Sequence, residues 1–496
     1  MKPFDASPRY RSIQSLTTDP LDLLIIGGGI VGAGVVRDAA IRGLRVGLVE
    51  QHDFAFGTSS RSSRLLHGGL RYLALGRLGL VRQASVEKGI LHRIAPHLFD
   101  PLAFVFPTYR GTDWPLWQLR IGVKIYDLLC GGRNLGRSHG MTRQEVLRHA
   151  PGLSETGLSG AVRYFDGLTN DARLVIDTLR SATRSNAIVI NYFQFTKACF
   201  TSGLWECELT DRLTQKHYTV QARSVVNATG PWADGLPHSQ VRLRLTKGIH
   251  LVVDRGRLPV TDAMVMTEGK RILFLIPWGE RVIIGTTDTD YRGPIEAVRS
   301  EPEDIRYLLR IVGEFFPAAG LSERDIISTW AGLRPLLADP GGKPSDISRA
   351  HEIKSPEPFW WDVAGGKLTT YRLMAEQTVD RIAKKLGGRF APCRTAEEPL
   401  LPLAETAGVS GIRPPEFNRR VVEHFCANEW AIHLDDVMVR RANWYHYHHD
   451  ADQKAEQVAE WMGESFGWLR EEREAELNRY RAAVHRVSER VAPMTA

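Results

Sequence analysis

Cysteine is scarce in this 496-residue chain, and the five present, Cys130, Cys199, Cys207, Cys393 and Cys426, lie far apart. No CxxC or related spacing occurs, which argues against a disulfide framework or a cysteine zinc site and favours a reducing, cytosolic compartment. Long apolar runs are also missing. The most apolar stretch, Leu23 to Val36, is broken by glycines and followed by Arg37 and Asp38, well short of a bilayer span. The opening segment, Met1 to Asp19, has no apolar signal-peptide centre. Any membrane association is therefore expected to be peripheral. No block of lysine and arginine calls for nucleic acid. A net charge of +7 and a pI near 9.1 suit a mildly basic enzyme, an anionic substrate or an acidic membrane surface. What is present is ordinary for a globular protein, with 43% apolar and 24% charged residues. The length exceeds one hydrophobic core, so two or three domains are expected, without internal repeats.

The first unit reads clearly. Asp22 to Ile26 is a short apolar run, Ile30 to Arg42 alternates at helical spacing, and Leu44 to Val49 is apolar again. Strand, helix, strand is the unit of a parallel sheet. A helix is predicted from Val81 to Ile94, and strands at Ser224 to Asn227, His250 to Val253, Ile272 to Ile276 and Val282 to Ile284. Gly365-Gly366 ends another strand and opens a helix from about Thr369 to Lys385. Prolines at 392, 399, 402, 414 and 415 mark a linker, beyond which the chain is charged and glycine-poor. Ala455 to Val487 reads as one or two amphipathic helices, predicting a separate C-terminal helical domain.

Gly27-Gly28-Gly29-Ile30-Val31-Gly32 satisfies GxGxxG between the predicted strand and helix. In such a turn Gly27 permits the tight bend, Gly29 lets backbone approach a pyrophosphate, and Gly32 lets helix pack on strand. The helix N-terminus adds free N–H groups and a positive dipole end. Glu50 closes the second strand, where an acid accepts ribose hydroxyls and disfavours a 2′-phosphate. These features admit NAD or FAD.

The segments that follow carry a resemblance. They are Thr58-Ser59-Ser60, Ser62 to Leu73 (SSRLLHGGLRYL), Asp171-Ala172-Arg173-Leu174, Asn227-Ala228-Thr229-Gly230-Pro231-Trp232, Lys247-Gly248-Ile249-His250 and Ile284-Gly285-Thr286-Thr287-Asp288. Gly332-Leu333-Arg334-Pro335-Leu336 and Gly365-Gly366-Lys367-Leu368-Thr369-Thr370-Tyr371-Arg372 complete the series. In this order they resemble the FAD-dependent, quinone-linked glycerol-3-phosphate dehydrogenases, from about residue 20 to 385 and more weakly beyond.

The resemblance implies an α/β + α fold. Its parts would be a Rossmann-like FAD-binding domain of the glutathione-reductase/D-amino-acid-oxidase type, a mixed β-sheet substrate domain and a C-terminal helical domain. The FAD-binding domain would comprise residues 20–95, continued by about 155–235 and 330–388. The substrate or cap domain would take 96–154 and 236–329, and the helical domain 389–496. FAD is the implied cofactor. Its expected contacts are Gly27, Gly29, Gly32, Glu50, Thr58, Ser59, Ser60, Ser62, Arg64, Leu65, His67, Gly69, Gly230, Gly366, Lys367, Leu368 and Thr369. The implied reaction oxidises sn-glycerol 3-phosphate to dihydroxyacetone phosphate by hydride transfer to FAD, and the electrons pass to a membrane quinone. Arg71, Tyr72, His250, Arg334, Arg349 and Lys367 match the family's substrate pocket, arginines being suited to grip phosphate oxygens bidentately. His250 is the candidate proton acceptor and, with Arg334, the catalytic pair, although assistance from an arginine in proton removal stays open.

The implied partners are the substrate, a quinone and the inner face of the cytoplasmic membrane, approached peripherally from the cytoplasm. A homodimer is compatible with the reading. Trp430, Trp444, Trp461 and Trp468 are candidates for a headgroup boundary, their alternative being the core of the C-terminal domain. His446, His449 and Asp450 could share a helix face as metal ligands, but they match no known spacing, and no metal is expected. Three other functions compete. A glycerol-phosphate oxidase using O2 would carry an inserted segment for which the motif spacing leaves no room. Another oxidase of the D-amino-acid-oxidase superfamily would need a carboxylate pocket. A flavin-binding module without turnover would not need the arginines.

Overall fold

A computed structural model of the chain describes residues 8–70, 73, 76–131, 134–269, 271–338 and 351–487. Arg71, Tyr72 and Arg349 lie outside the described residues.

The glycine-rich turn follows the central strand of a six-stranded sheet. Leu23–Ile26 is flanked in parallel by Val46–Val49 on one side and Val225–Asn227 on the other, in register Ile26 with Val49 and Asn227. Ile188–Ile190 extends the parallel set beyond Val46–Val49, Trp360–Gly365 extends it beyond Val225–Asn227, and His351–Lys354 closes that edge antiparallel. Both inner strands are apolar on both faces because both faces are covered. The helix Ile30–Ile41 packs on one face between Asp171–Arg184 and Tyr371–Leu386. A three-stranded antiparallel meander, residues 193–222, and the helix Pro8–Thr18 cover the other through Leu16, Leu24, Trp205 and Leu209. The carboxyl ends of the parallel strands thus converge on one edge, where ligands bind in open α/β sheets.

A second, ten-stranded mixed sheet stands beside the first. Its spine is Leu243–Asp254, antiparallel to both Arg281–Gly285 and Ile326–Leu337. The helix Pro302–Phe315 seals one face of this sheet and Leu116–Leu129 the other. Three of the four predicted strands of the middle region fall inside observed ones, the fourth begins one residue later than predicted, at Val225, and the helix predicted from Val81 starts three residues earlier, at Leu78.

The proline-rich segment is a strap rather than a slack linker. Arg37, buried in the first unit, donates to the carbonyls of Thr395 at 3.3 Å and Glu398 at 2.8 Å. Beyond it, Ala451–Phe466 and Arg470–Val487 are separate helices, because Gly467 ends the first at φ +73°. Trp444 is enclosed in the core of this helical unit and donates to the carbonyl of Pro415. Trp461 and Trp468 pack against the same core, and Trp430 meets Phe54 edge-on. These tryptophans serve packing, the alternative weighed from the sequence: Trp444, Trp461 and Trp468 in the core of the helical unit, and Trp430 against that of the first unit.

Buried charge ties the helical unit to the first sheet. Arg173 pairs with Glu429 at 2.5 Å, and burial of that carboxyl is outweighed by the guanidinium, which holds it well below the usual carboxylate range. Arg440 and Arg441 both grip Asp53, in the loop after Glu50. Removing one partner of a fully buried pair costs about 3–5 kcal/mol, so this contact fixes the loop's position.

Candidate active site

The fingerprint glycines are needed for space. Gly27 has φ +110°, and a Cβ there would lie 2.6 Å from the carbonyl oxygen of Ala228. A Cβ on Gly32 would lie 1.9 Å from the carbonyl oxygen of Gly27, so this glycine sets how closely helix meets strand. A Cβ on Gly29 would meet only the Ser59 hydroxyl, at 3.2 Å. The space above Gly29 is the floor of a cleft.

That cleft has a volume of about 460 Å³ and follows the carboxyl edge of the parallel sheet. At one end stand Glu50, Gln51 and Gln194. The Glu50 carboxylate accepts from the N–H of Gly28 at 2.7 Å and of His52 at 2.9 Å, leaving acceptor capacity on both oxygens for hydroxyls in the cleft. Burial raises the pKa of Glu50, an effect these two N–H groups oppose. In the middle, the helix Ile30–Ile41 begins at Gly29 with no side-chain cap, and its first N–H donates to Ser59 at 3.0 Å. A helix start without a side-chain cap attracts phosphate. At the other end Gly365 and Gly366, at φ +74° and +82°, turn the chain into Leu368–Thr370 and the helix Tyr371–Leu386.

A second cavity of about 200 Å³ adjoins the first and shares Thr58, Ser59, Gly366, Lys367 and Leu368 with it. It holds His250 and Arg334. The strand pairing sets Thr246 opposite Arg334 and His250 opposite Trp330, which brings both residues to one face of the second sheet. The Arg334 guanidinium donates to the Thr286 hydroxyl at 3.0 Å, the Thr287 carbonyl at 3.2 Å and Asp288 at 3.3 Å. It lies against Gly248, where a Cβ would come within 2.4 Å of Nη2. His250 stacks on Trp330, ring centroids 5.1 Å apart, and its Nε2 is 2.8 Å from the Ser63 hydroxyl. Burial, then Arg334 and Arg64, push its pKa well below the ordinary histidine value, so the ring is neutral at neutral pH. Thr369 clamps His67, accepting from its N–H at 3.1 Å and donating to its carbonyl.

Of the sequence-predicted residues, Gly27, Gly29, Glu50, Thr58, Ser59, Gly230, Gly366, Lys367 and Leu368 line the first cavity. Ser62, Leu65, His67, Thr369, His250 and Arg334 line the second, together with Lys367. Gly32, Ser60, Arg64 and Gly69 line neither. Arg64 is the main departure. At φ +57° its side chain turns under the loop, over the rings of Trp278 and Trp330 at 4.3 and 5.0 Å, and donates to Asn443 at 2.6 Å. The cause is Asp171, which anchors Ser62 through its N–H and hydroxyl at 2.9 and 2.7 Å and so fixes the loop's path.

The sequence assigned no site role to Gln194, Trp232, Arg61 or Ser63, which the cavities do include. Ser63 lay within the quoted motif, and its role needed only the pairing with His250. His446 and His449, weighed from the sequence and set aside as metal ligands, do not share a face. His446 is buried edge-on against Trp330, whereas His449 faces out to Asp254 at 2.8 Å.

The cleft fits FAD: acceptors at the ribose end, a capless helix start for the pyrophosphate, and a second glycine turn beside His67 for the ring. Comparison with known proteins agrees. Residues 22–380 match the FAD dependent oxidoreductase family. The chain is 39% identical over 398 residues to an aerobic glycerol-3-phosphate dehydrogenase of Staphylococcus aureus, covering 77% of this chain and 71% of that one. The solved glycerol-3-phosphate dehydrogenase of Bacillus halodurans, complexed with FAD, superposes with TM-score 0.77 at 27% identity, covering 98% of both chains. L-α-glycerophosphate oxidase of Mycoplasma pneumoniae, with FAD bound, gives TM-score 0.60 at 17% identity, covering 78% of this chain and all of that one.

Proposed function

The chain belongs to the FAD dependent oxidoreductases and, within them, to the glycerol-3-phosphate dehydrogenase/oxidase family that uses FAD, and we propose that it oxidises sn-glycerol 3-phosphate to dihydroxyacetone phosphate and delivers the electrons to a membrane quinone. One observation carries the reading. A cavity that shares Thr58, Ser59, Gly366, Lys367 and Leu368 with the cofactor cleft brings together Arg334, Lys367 and the neutral His250.

Bound in the cleft, FAD supplies the two-electron acceptor that the amino acids lack. Arg334 is held by Thr286, Thr287 and Asp288 and presents a fixed fork to the substrate phosphate, with Lys367 as a second cation. That grip positions the secondary alcohol. His250, fixed by Trp330 and Ser63, receives the hydroxyl proton, which is suited to a ring that is neutral beforehand. Leu65, Leu368 and Gly332 add apolar lining to the same cavity.

One thing supports quinone over oxygen: the solved dehydrogenase, 27% identical, matches 98% of this chain, C-terminal helices included. The proposed location is the inner face of the cytoplasmic membrane, approached peripherally. Turnover of the FAD-loaded enzyme with a soluble quinone, compared in air with peroxide formation, tests the acceptor. Fast quinone reduction with little peroxide is expected, and stoichiometric peroxide without quinone reduction would assign the enzyme to the oxidases.

A further inference from the structure

The helix Leu116–Leu129 is apolar on two opposite faces. Leu119, Val123 and Tyr126 point inward and are buried in the core beneath the second sheet. Trp117, Ile121, Ile125 and Leu128 recur at spacings of four, four and three residues, which places them on one outward face. That face is open: Trp117 is 63% exposed and Leu128 79%. Leu78, at the start of the neighbouring helix Leu78–Ile94, is exposed as well. An outward stripe of this size on a water-facing helix marks a contact surface, because scattered single apolar residues would not align.

The charges say what kind of contact it is. Arg120 and Lys124 are exposed along one flank of the stripe. Lys124 donates to the Ser138 carbonyl at 2.8 Å, and Arg120 lies against Gly140. The one acid of the helix, Asp127, is turned into the loop that follows, where it accepts from Asn134 and from the N–H and hydroxyl of Ser138 at 3.0 and 2.6 Å. The outer face is therefore apolar with a basic margin, the pattern of a helix lying in an anionic lipid surface. A two-fold pairing of this face with a second copy would instead set Arg120 and Lys124 near their own counterparts, on a chain already at +7.

We propose that this helix is the membrane-docking element and that its ligand is an anionic lipid bilayer surface. The assignment rests on the quinone-linked reading for its purpose, since it explains how a lipid-borne acceptor is reached. On its inner face the Tyr126 hydroxyl accepts from the Gly68 N–H at 2.9 Å and donates to Asp166 at 2.6 Å. Gly68 follows His67 of the second cavity. One helix thickness, about 10 Å, separates the membrane face from the loop beside the flavin end of the cleft.

The test uses the full-length, FAD-loaded protein and flotation with vesicles of mixed phosphatidylglycerol and phosphatidylcholine. Ile121→Asp and Leu128→Asp each remove a buried apolar side chain from the lipid and add a negative charge. Each should weaken vesicle binding roughly tenfold or more, while the thermal midpoint and turnover of sn-glycerol 3-phosphate with a soluble dye stay at the native level. Native binding should also weaken with added salt. Unchanged vesicle binding by both variants, or no binding by the native protein, overturns the proposal. So does a native dimer that the variants convert to monomer without loss of vesicle binding. Soluble-dye turnover keeps the two ideas apart: its absence in the native enzyme counts against the proposed reaction, and vesicle binding alone decides the surface.

Discussion

Arg334→Ala should lower kcat/KM for sn-glycerol 3-phosphate roughly a hundredfold, with FAD still bound. The guanidinium is already held by Thr286, Thr287 and Asp288, so little ordering remains when the phosphate arrives. Losing a charge-assisted, bidentate contact to a dianion costs about 2–4 kcal/mol, which is that factor in rate. The change leaves the glycine cleft untouched, because Arg334 sits on the other side of the shared wall. Steady-state kinetics, with flavin content measured on the same preparation, checks both halves. Native kcat/KM in the variant would mean that the phosphate binds elsewhere.

Replacing His250 with Asn should reduce kcat about 10²–10⁴-fold, the usual contribution of a positioned base, with a smaller change in KM. The pH dependence gives a second readout. In the native protein, burial and then Arg334 and Arg64 depress the histidine, so it keeps its free base as pH falls past its ordinary value of about 6.5. Removing the positive charge of Arg334 relieves part of that depression, so the His250 pKa rises. The acid limb of kcat/KM should accordingly move to higher pH in Arg334→Ala than in the native enzyme. An unmoved limb, or a His250→Asn variant of near-native kcat, would take His250 out of the proton path.

The cofactor half of this site was legible because its chemistry is local. Gly27, Gly29 and Glu50 act through backbone shape and strand position, which a strand–helix–strand pattern discloses. His250 and Arg334 could be placed only through the resemblance, since what unites them is the pairing of Leu243–Asp254 with Ile326–Leu337. Arg64 shows where motif reading stops. Its neighbours line the cavity, yet its own side chain turns beneath the loop to Asn443, a partner 379 positions away. The C-terminal tryptophans mislead for a related reason. Composition cannot say which side of an amphipathic helix faces the core, whereas exposure puts the apolar outward stripe on Leu116–Leu129.

The central claim is that a phosphate-gripping cavity feeds a flavin cleft. Mixing the purified, FAD-loaded protein anaerobically with sn-glycerol 3-phosphate, and separately with glycerol, while following the flavin absorbance tests it most directly. The account predicts bleaching by the phosphate ester and none by glycerol at the same concentration. Equal bleaching by both, or no bleaching by sn-glycerol 3-phosphate, would contradict it.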